Sequence, residues 1–215
     1  TNGNHNTALG YNTLGAQNFG SATDSYNTAV GSAAGANVTT GIYNVIVGGA
    51  AGDALTDADF NVALGTFALS SDTLGSKSTA VGHNTLYTQN FTSATDTYNT
   101  AVGFQAGLSV TTGVQNTLLG GLAGDAITTS SYNTAVGYNS LSATTTGANN
   151  VGVGVSALLV NTTGAHNTAL GTGSLAANTT GSDNIAVGQS ALLANTTGTN
   201  NTALGSYSLA TNITS

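Results

Sequence analysis

A short repeat with a period of seventeen constrains the fold of this chain more than any other feature of its sequence. Nine of the eleven spacings between successive repeat units equal seventeen positions, and the other two are longer by a four-residue insertion. A fixed period of this length is typical of solenoid proteins, in which each unit forms one coil that stacks on the next. The twelve units begin with variants of the pentad Asn-Thr-Ala-(Val/Leu)-Gly, at Asn6, Asn27, Asn44, Asn61, Ser78, Asn99, Asn116, Asn133, Asn150, Asn167, Asn184 and Asn201.

A longer repeat lies over the short one. Residues 6–77 match residues 78–149, and each of these blocks contains one longer unit followed by three regular ones. The last part of the chain, residues 150–215, has no insertion. These relations predict a single repeat domain over residues 1–215, built from two duplicated four-coil blocks and a run of regular coils.

The pentad predicts a short β-strand in every unit. With the first residue of each unit numbered 1, position 4 is Val or Leu and position 5 is Gly in all twelve units, while position 2 is Thr, Val or Ile. Side chains alternate between the two faces of a strand, so positions 2 and 4 share a face and position 3 has the other. Because positions 2 and 4 are β-branched or apolar, we expect them to point inward, together with position 9.

The same pattern argues against helices, since Gly recurs every few residues and β-branched residues are frequent. A meander of hairpins is an alternative, but identical units stack most simply in parallel. The predicted fold is therefore all-β, a parallel β-solenoid of about twelve 17-residue coils that forms a rod of about 55–60 Å. Such a coil has a thin core, and so we expect Asn and Thr ladders between coils and association of identical chains to add stability.

The composition excludes several classes of function. One Lys and no Arg cannot neutralise a run of phosphates, which excludes nucleic-acid binding. The absence of Cys excludes disulfides, a thiol nucleophile and a cysteine metal site, and no apolar run is long enough to span a membrane. Only 4% of the residues are charged, and the net charge is −7. An uncharged surface rich in Asn, Thr and Ser favours an extracellular stalk, fibre or adhesin over a cytosolic enzyme.

The repeat also resembles a known family. The pentad followed by x-x-Ala-Leu, as in residues 184–192, resembles the head repeats of YadA-type trimeric autotransporter adhesins. The units with Asn-Thr-Thr-Gly at residues 161–164, 178–181 and 195–198 look like repeats of phage tail fibres and bacterial surface fibre proteins. This resemblance implies a left-handed parallel β-roll, assembly as a homotrimer, and a location on a virion tail or a bacterial cell surface.

The two four-residue insertions are the candidate binding sites. Loops on repeat scaffolds often carry binding, and aromatic rings beside Asn and Asp suit contact with sugars. The alternative interpretation is that each Phe fills space under a bulged loop. The candidate glycan-contact residues are Asn18, Phe19, Asp24 and Tyr26 in the first insertion, and Asn90, Phe91, Asp96 and Tyr98 in the second.

No catalytic, cofactor or metal site is predicted. Asp57 and Asp59 form the only close pair of carboxylates, and the duplicated block has Thr129 and Ser131 in their places, so we interpret them as solvated loop residues. Asn-x-Ser/Thr sequons are present, and three of them share one unit position, which indicates a ladder-forming repeat rather than glycosylation sites. These three are Asn161, Asn178 and Asn195.

The sequence thus predicts a non-enzymatic extracellular fibre segment that acts as a rigid rod and as a multivalent surface-binding element. A self-assembling extracellular filament is one alternative. An ice-binding solenoid is another, because regular Thr arrays order water. Two features argue against ice binding: position 2 shares its expected inward face with Val or Leu, and the adjacent Thr residues at positions 13 and 14 point to opposite faces.

Overall fold

The computed structural model describes residues 3–213 and shows the predicted parallel β-solenoid. Twelve three-residue strands, one from each unit at positions 2–4, form a single parallel sheet. These strands are β2 (Thr7–Leu9), β4 (Thr28–Val30), β5 (Val45–Val47), β6 (Val62–Leu64), β8 (Thr79–Val81), β10 (Thr100–Val102), β11 (Thr117–Leu119), β12 (Thr134–Val136), β13 (Val151–Val153), β14 (Thr168–Leu170), β15 (Ile185–Val187) and β16 (Thr202–Leu204). Four two-residue strands form two further parallel pairs beside the inserted loops, β1 (Gly3–Asn4) with β3 (Thr23–Asp24), and β7 (Gly75–Ser76) with β9 (Thr95–Asp96).

Successive coils stack with equivalent residues side by side. Between β12 and β13, for example, Thr134 lies opposite Val151 and Val136 lies opposite Val153. The same register holds across every pair in the sheet, including those that flank the two longer units. Each unit position therefore becomes a column of side chains that runs along the rod, with about 4.8 Å between neighbours.

The prediction that positions 2 and 4 point inward is wrong. Position 3 is the inward position: Ala63, Ala80 and Ala135 are fully buried, whereas Leu170 and Ile185 at positions 4 and 2 are 37% and 45% exposed. The interior of so short a coil is narrow, and Leu side chains from the opposite wall already fill it. Most strands therefore carry a small residue, usually Ala, on the inner face. Ile46 and Leu118 are the large exceptions, and they fill the space beside the Gly residues at position 9 of their own and the preceding coil.

In each coil the large aliphatic side chain of this wall of the core stands either at position 9 or at position 12. Where position 9 is Leu, position 12 is polar; where position 9 is Gly, position 12 is an aliphatic residue that is fully buried. A Cβ on Gly107 would lie 2.8 Å from Leu118 Cδ1 and 2.9 Å from Leu86 Cδ2, which shows that neighbouring side chains occupy the space. The four exchanged pairs are Gly35 with Val38, Gly52 with Leu55, Gly107 with Val110, and Gly124 with Ile127.

Buried asparagines at position 1 form the expected polar ladder between coils. The backbone N–H of Asn44 donates to Asn27 Oδ1 at 2.8 Å, and Asn44 Nδ2 donates to the carbonyl oxygen of Ala58 at 2.7 Å. The same pair of bonds recurs at Asn61 and along later coils. Each Asn side chain thus satisfies a buried N–H of the next coil and a buried carbonyl of its own coil, groups that would otherwise destabilise the core.

One unit begins with Ser instead of Asn, and a buried network replaces the ladder there. Gln89 Nε2 donates to Asp72 Oδ2 at 2.6 Å and to Ser78 Oγ at 2.8 Å. Asn99 Nδ2 donates to Gln89 Oε1 at 2.8 Å, and the hydroxyls of Ser78 and Thr97 are 2.5 Å apart. All five side chains are buried, so the longer second-block coil keeps its polar interior paired.

The Gly at position 5 is required by close approach between coils. Gly154 has φ +134°, and a Cβ there would lie 2.6 Å from the carbonyl carbon and oxygen of Gly171 in the next coil. No side chain fits between these backbones. Non-glycine residues also adopt positive φ at positions 7, 9 and 17, such as Asn139, Leu141 and Asn149. These corners each cost roughly 1–2 kcal/mol, which the stacking of coils must offset.

The volume exchange in the core predicts the outcome of a double-mutant cycle at Leu141 and Thr144. Leu141→Gly should leave a cavity that costs about 2–5 kcal/mol, offset by about 1–2 kcal/mol because Gly adopts the positive φ of this position without strain. Thr144→Val alone should give little gain, because Leu141 already fills the core. The double variant should recover part of the loss, because it reproduces the pair found at Gly35 and Val38. Chemical denaturation of the four proteins measures the coupling, and strictly additive effects would contradict the exchange.

Candidate binding surfaces

The two inserted loops place their Phe residues under the loop rather than on its surface. Phe19 and Phe91 are only 5% and 6% exposed. The amide N–H of Phe91 also donates to the buried carboxylate of Asp72 at 3.2 Å, which fixes the base of the second loop. The space-filling interpretation therefore describes these two rings, and neither offers a face for a sugar.

The Asp and Tyr residues of the second loop meet the only Lys of the chain. Lys77 Nζ lies 2.6 Å from Asp96 Oδ2 and 3.3 Å from the hydroxyl of Tyr98, and it sits 5.3 Å from the centre of the Tyr98 ring. The hydrogen bond to Asp96, followed by that to Tyr98, raises the pKa of Lys77 above its ordinary value. One face of the Tyr98 ring is thus covered by a cation from the preceding coil.

The first loop repeats this arrangement with His in place of Lys. His5 Nε2 lies 3.6 Å from Asp24 Oδ1, and the His5 ring stacks on Tyr26 with centroids 4.9 Å apart. Neither His5 nor Lys77 is among the residues that the sequence predicts for the candidate site. The sequence does relate these two residues to each other. His5 and Lys77 each stand immediately before the first residue of a duplicated block, so they occupy equivalent places.

Tyr26, the last residue of the first longer unit, stacks on the rings at position 17 of the next two coils. Its ring lies 5.4 Å from that of Tyr43, which in turn lies 5.2 Å from Phe60, with interplanar angles of 10° and 4°. Both faces of Tyr26 are therefore covered, by His5 and Tyr43. The groups of the predicted site that remain exposed to a ligand are polar: Asn18 and Asn90, the carboxylates of both Asp residues, and the ring edges and hydroxyls of both Tyr residues.

The outward side of the twelve-stranded sheet is a long surface without charged side chains. We call it the outer sheet face and define it as positions 2 and 4 of the twelve three-residue strands of this sheet. It carries Val, Leu, Ile and Thr, and no charged residue at any of these positions. Val47 and Val102 are 36% and 37% exposed, and most other members are partly exposed. Exposed aromatic residues at position 6, Phe104 and Tyr138, border this face.

The three sequons that share position 12 lie inside the solenoid. Asn161, Asn178 and Asn195 are fully buried. Asn178 Nδ2 donates to Asn161 Oδ1 at 2.9 Å, and Asn195 Nδ2 donates to Asn178 Oδ1 at 3.0 Å. These residues form a second asparagine ladder, as their shared position indicates, and their side chains are inaccessible to glycosylation in the folded chain.

The carboxylates of Asp57 and Asp59 both serve contacts between coils. The hydroxyl of Thr40 donates to Asp57 Oδ1 at 2.5 Å, and the N–H of Ile42 donates to Asp59 Oδ1 at 2.8 Å. Partial burial raises the pKa of Asp59, the hydrogen bond from Ile42 opposes this, and the nearby charge of Asp57 adds to the rise. The pair thus has a structural role in joining the second and third coils.

Over residues 3–213 the surface has no pocket, and no group of three or more His or Asp side chains is placed to hold a metal ion. The described part of the chain also has no helix long and apolar enough to cross a membrane. Comparison with family models, with curated proteins and with solved structures found no match to this chain. The functional assignment therefore depends on the surfaces described above.

The raised pKa of Asp59 predicts a pH dependence of stability. The folded state holds the proton more tightly than the unfolded state, so this group makes the fold less stable as pH rises from the ordinary Asp range through the raised pKa. Asp59→Asn should therefore be more stable than the parent protein at pH 7, and the difference should shrink below pH 4. Thermal unfolding at several pH values tests this, with Asp183→Asn as an exposed control; a constant difference at all pH values would contradict it.

Proposed function

We propose that this chain is a non-enzymatic, rigid segment of an extracellular fibre, such as a phage tail fibre or a bacterial surface adhesin. Twelve coils joined in register form a rod of about 55 Å, in which every coil is hydrogen-bonded to its neighbours. Such a rod holds a binding element at a fixed distance from its anchor. Its sparse charge and its surface of Asn, Thr and Ser suit a structure of this kind.

The observation that carries the proposal is the outer sheet face. An uncharged aliphatic face that runs the length of a rod is the usual sign of a protein–protein contact. Identical chains present the same columns at the same spacing, so parallel copies can match Val and Leu side chains along the whole rod. We therefore propose that the chain is a homo-oligomer through this face. The number three comes from the resemblance to the trimeric adhesin repeats.

The oligomer is tested by a charge placed in the middle of the outer sheet face. Light scattering should give three times the chain mass of 20.9 kDa for the parent protein. Val136→Asp should shift it to monomer, because an unpaired carboxylate in an apolar contact is strongly unfavourable. Thr163→Asp makes the same change at an exposed position on another side of the coil and should leave the trimer intact. Circular dichroism checks that both variants stay folded.

A monomeric parent protein would contradict the trimer. Filaments much longer than one rod in electron micrographs would favour the self-assembling filament instead. A trimer that survives Val136→Asp would show that the chains associate through another surface.

The inserted loops supply the adhesive part of the proposal. They recur every four coils, about 19 Å apart, and association of identical chains multiplies them around the fibre. Because the Phe rings are buried, we propose that contact with a neutral glycan uses the polar groups of Asn18, Asp24, Asn90 and Asp96. Carboxylate and amide oxygens accept hydrogen bonds from vicinal sugar hydroxyls, and many weak contacts add to useful avidity.

A glycan microarray tests this contact. The parent oligomer should bind a subset of neutral oligosaccharides, and the double variant Asp24→Ala/Asp96→Ala should lose at least tenfold in apparent affinity, which corresponds to the loss of one or two charge-assisted hydrogen bonds per site. Asp183→Ala, an exposed carboxylate outside the loops, is the matched control. Equal binding by the double variant, or no binding by the parent protein, would contradict the loops as a glycan site.

A further inference from the structure

The threonines at position 14 form a regular, exposed column over six successive coils. All six side chains are exposed, in contrast to those at position 13, which are partly buried. In-register stacking sets them about 4.8 Å apart along the rod. The column consists of Thr112, Thr129, Thr146, Thr163, Thr180 and Thr197.

The hydroxyls of this column are available for a ligand. The neighbouring hydroxyls at position 13 are engaged: Thr145 Oγ1 donates to the carbonyl of Thr162 at 3.2 Å, and Thr162 Oγ1 donates to that of Thr179 at 3.0 Å. Among the described residues, no hydrogen bond engages the side-chain hydroxyls of the six position-14 threonines. The position-13 hydroxyls therefore bind the backbone of the next coil, whereas the position-14 hydroxyls face solvent and are free to bind a ligand.

The surface around the column is uncharged and is hydrogen-bonded from coil to coil. Position 15 turns inward and is Gly in most of these coils, where the next coil's carbonyl leaves no room for a Cβ, as at Gly164. Position 16 lies on the same side of the coil as position 14, two residues further along, and carries only small or β-branched residues, such as Ala148, Ala165 and Ser182. The backbone N–H of Thr163 donates to the carbonyl of Thr179 at 3.2 Å, which ties the column itself to the next coil.

We infer that this Thr column and the adjacent position-16 column form an ice-binding face. A rigid grid of hydroxyl and methyl groups, spaced like second-neighbour water oxygens in ice, can hold waters in a lattice-like arrangement without losing side-chain entropy on contact. Charged side chains would bind water in other orientations, and none stands at positions 13–16 of these six coils. In the first block Asp57 and Leu74 interrupt the column, so the face is confined to the coils from residue 99 onward.

This inference goes beyond the fibre proposal and uses a different surface. The chain turns a corner at position 17, where residues such as His166 have positive φ, before it enters the strand that carries the outer sheet face. Association through the outer sheet face therefore leaves the Thr face toward solvent. One argument against ice binding was that the Thr residues at position 2 share an inward face with Val or Leu. That argument no longer holds, because positions 2 and 4 point outward.

Two measurements on the purified protein test this inference. The first is the gap between the melting and freezing temperatures of ice in its solution, and the second is the incorporation of the protein into a growing ice hemisphere. The parent protein should open a measurable gap and enter the ice. Thr146→Lys/Thr163→Lys should abolish both effects, because two long charged side chains disrupt the centre of the grid. Thr92→Lys, the same change in an exposed loop, is the matched control and should retain both.

Conservative variants separate the two groups of the Thr side chain. Thr163→Ser keeps the hydroxyl, and Thr163→Val keeps the methyl group and replaces the hydroxyl by a second one; each should reduce the freezing gap less than the double Lys variant does. Light scattering on the same samples shows whether the oligomer is intact, so the two proposals fail independently. No freezing gap and exclusion from ice by the parent protein, or full activity of the double Lys variant, would overturn the inference.

Discussion

Every feature of this rod depends on the contact between one coil and the next. A strand of three residues is too short to be stable alone, and the corners at positions 7, 9 and 17 use backbone conformations that L-residues disfavour. These costs are offset because each coil forms parallel ladders with two neighbours and adds a buried Asn ladder and a Thr ladder. Wherever another coil follows, the contact is close enough that position 5 must be Gly.

The narrow interior created by this contact decides which side chains face inward. Ala or an exchanged aliphatic residue is placed inside, Leu at position 9 fills the opposite wall, and the polar groups that remain are paired in ladders. Such a core buries little apolar surface per residue, so the outer sheet face keeps a long apolar column that a single chain cannot cover. Association of identical chains is the simplest way to remove that column from water.

The outward columns illustrate how a solenoid converts a short sequence motif into an extended surface. A residue at one position in the unit becomes a line of identical groups at a fixed spacing, whether Val and Leu on the outer sheet face or Thr at position 14. The insertions interrupt this regularity and bring a basic side chain, an Asp and a Tyr together twice, once around His5 and once around Lys77. The columns of identical residues thus suit extended partners such as a second chain or ice, and the inserted loops suit a small ligand such as a glycan.

The sequence alone determined the period, the parallel stacking, the position of the strands and the ladder-forming role of Asn, because each recurs in every unit and so leaves a pattern. It indicated the wrong face for Val47 and Val102, because alternation shows which residues share a face but not which face is inside. It also left open whether Phe19 and Phe91 pack or bind, and did not connect Lys77 with Asp96. Only the tertiary structure decided these points, because they depend on the width of the coil and on contacts between residues of different coils.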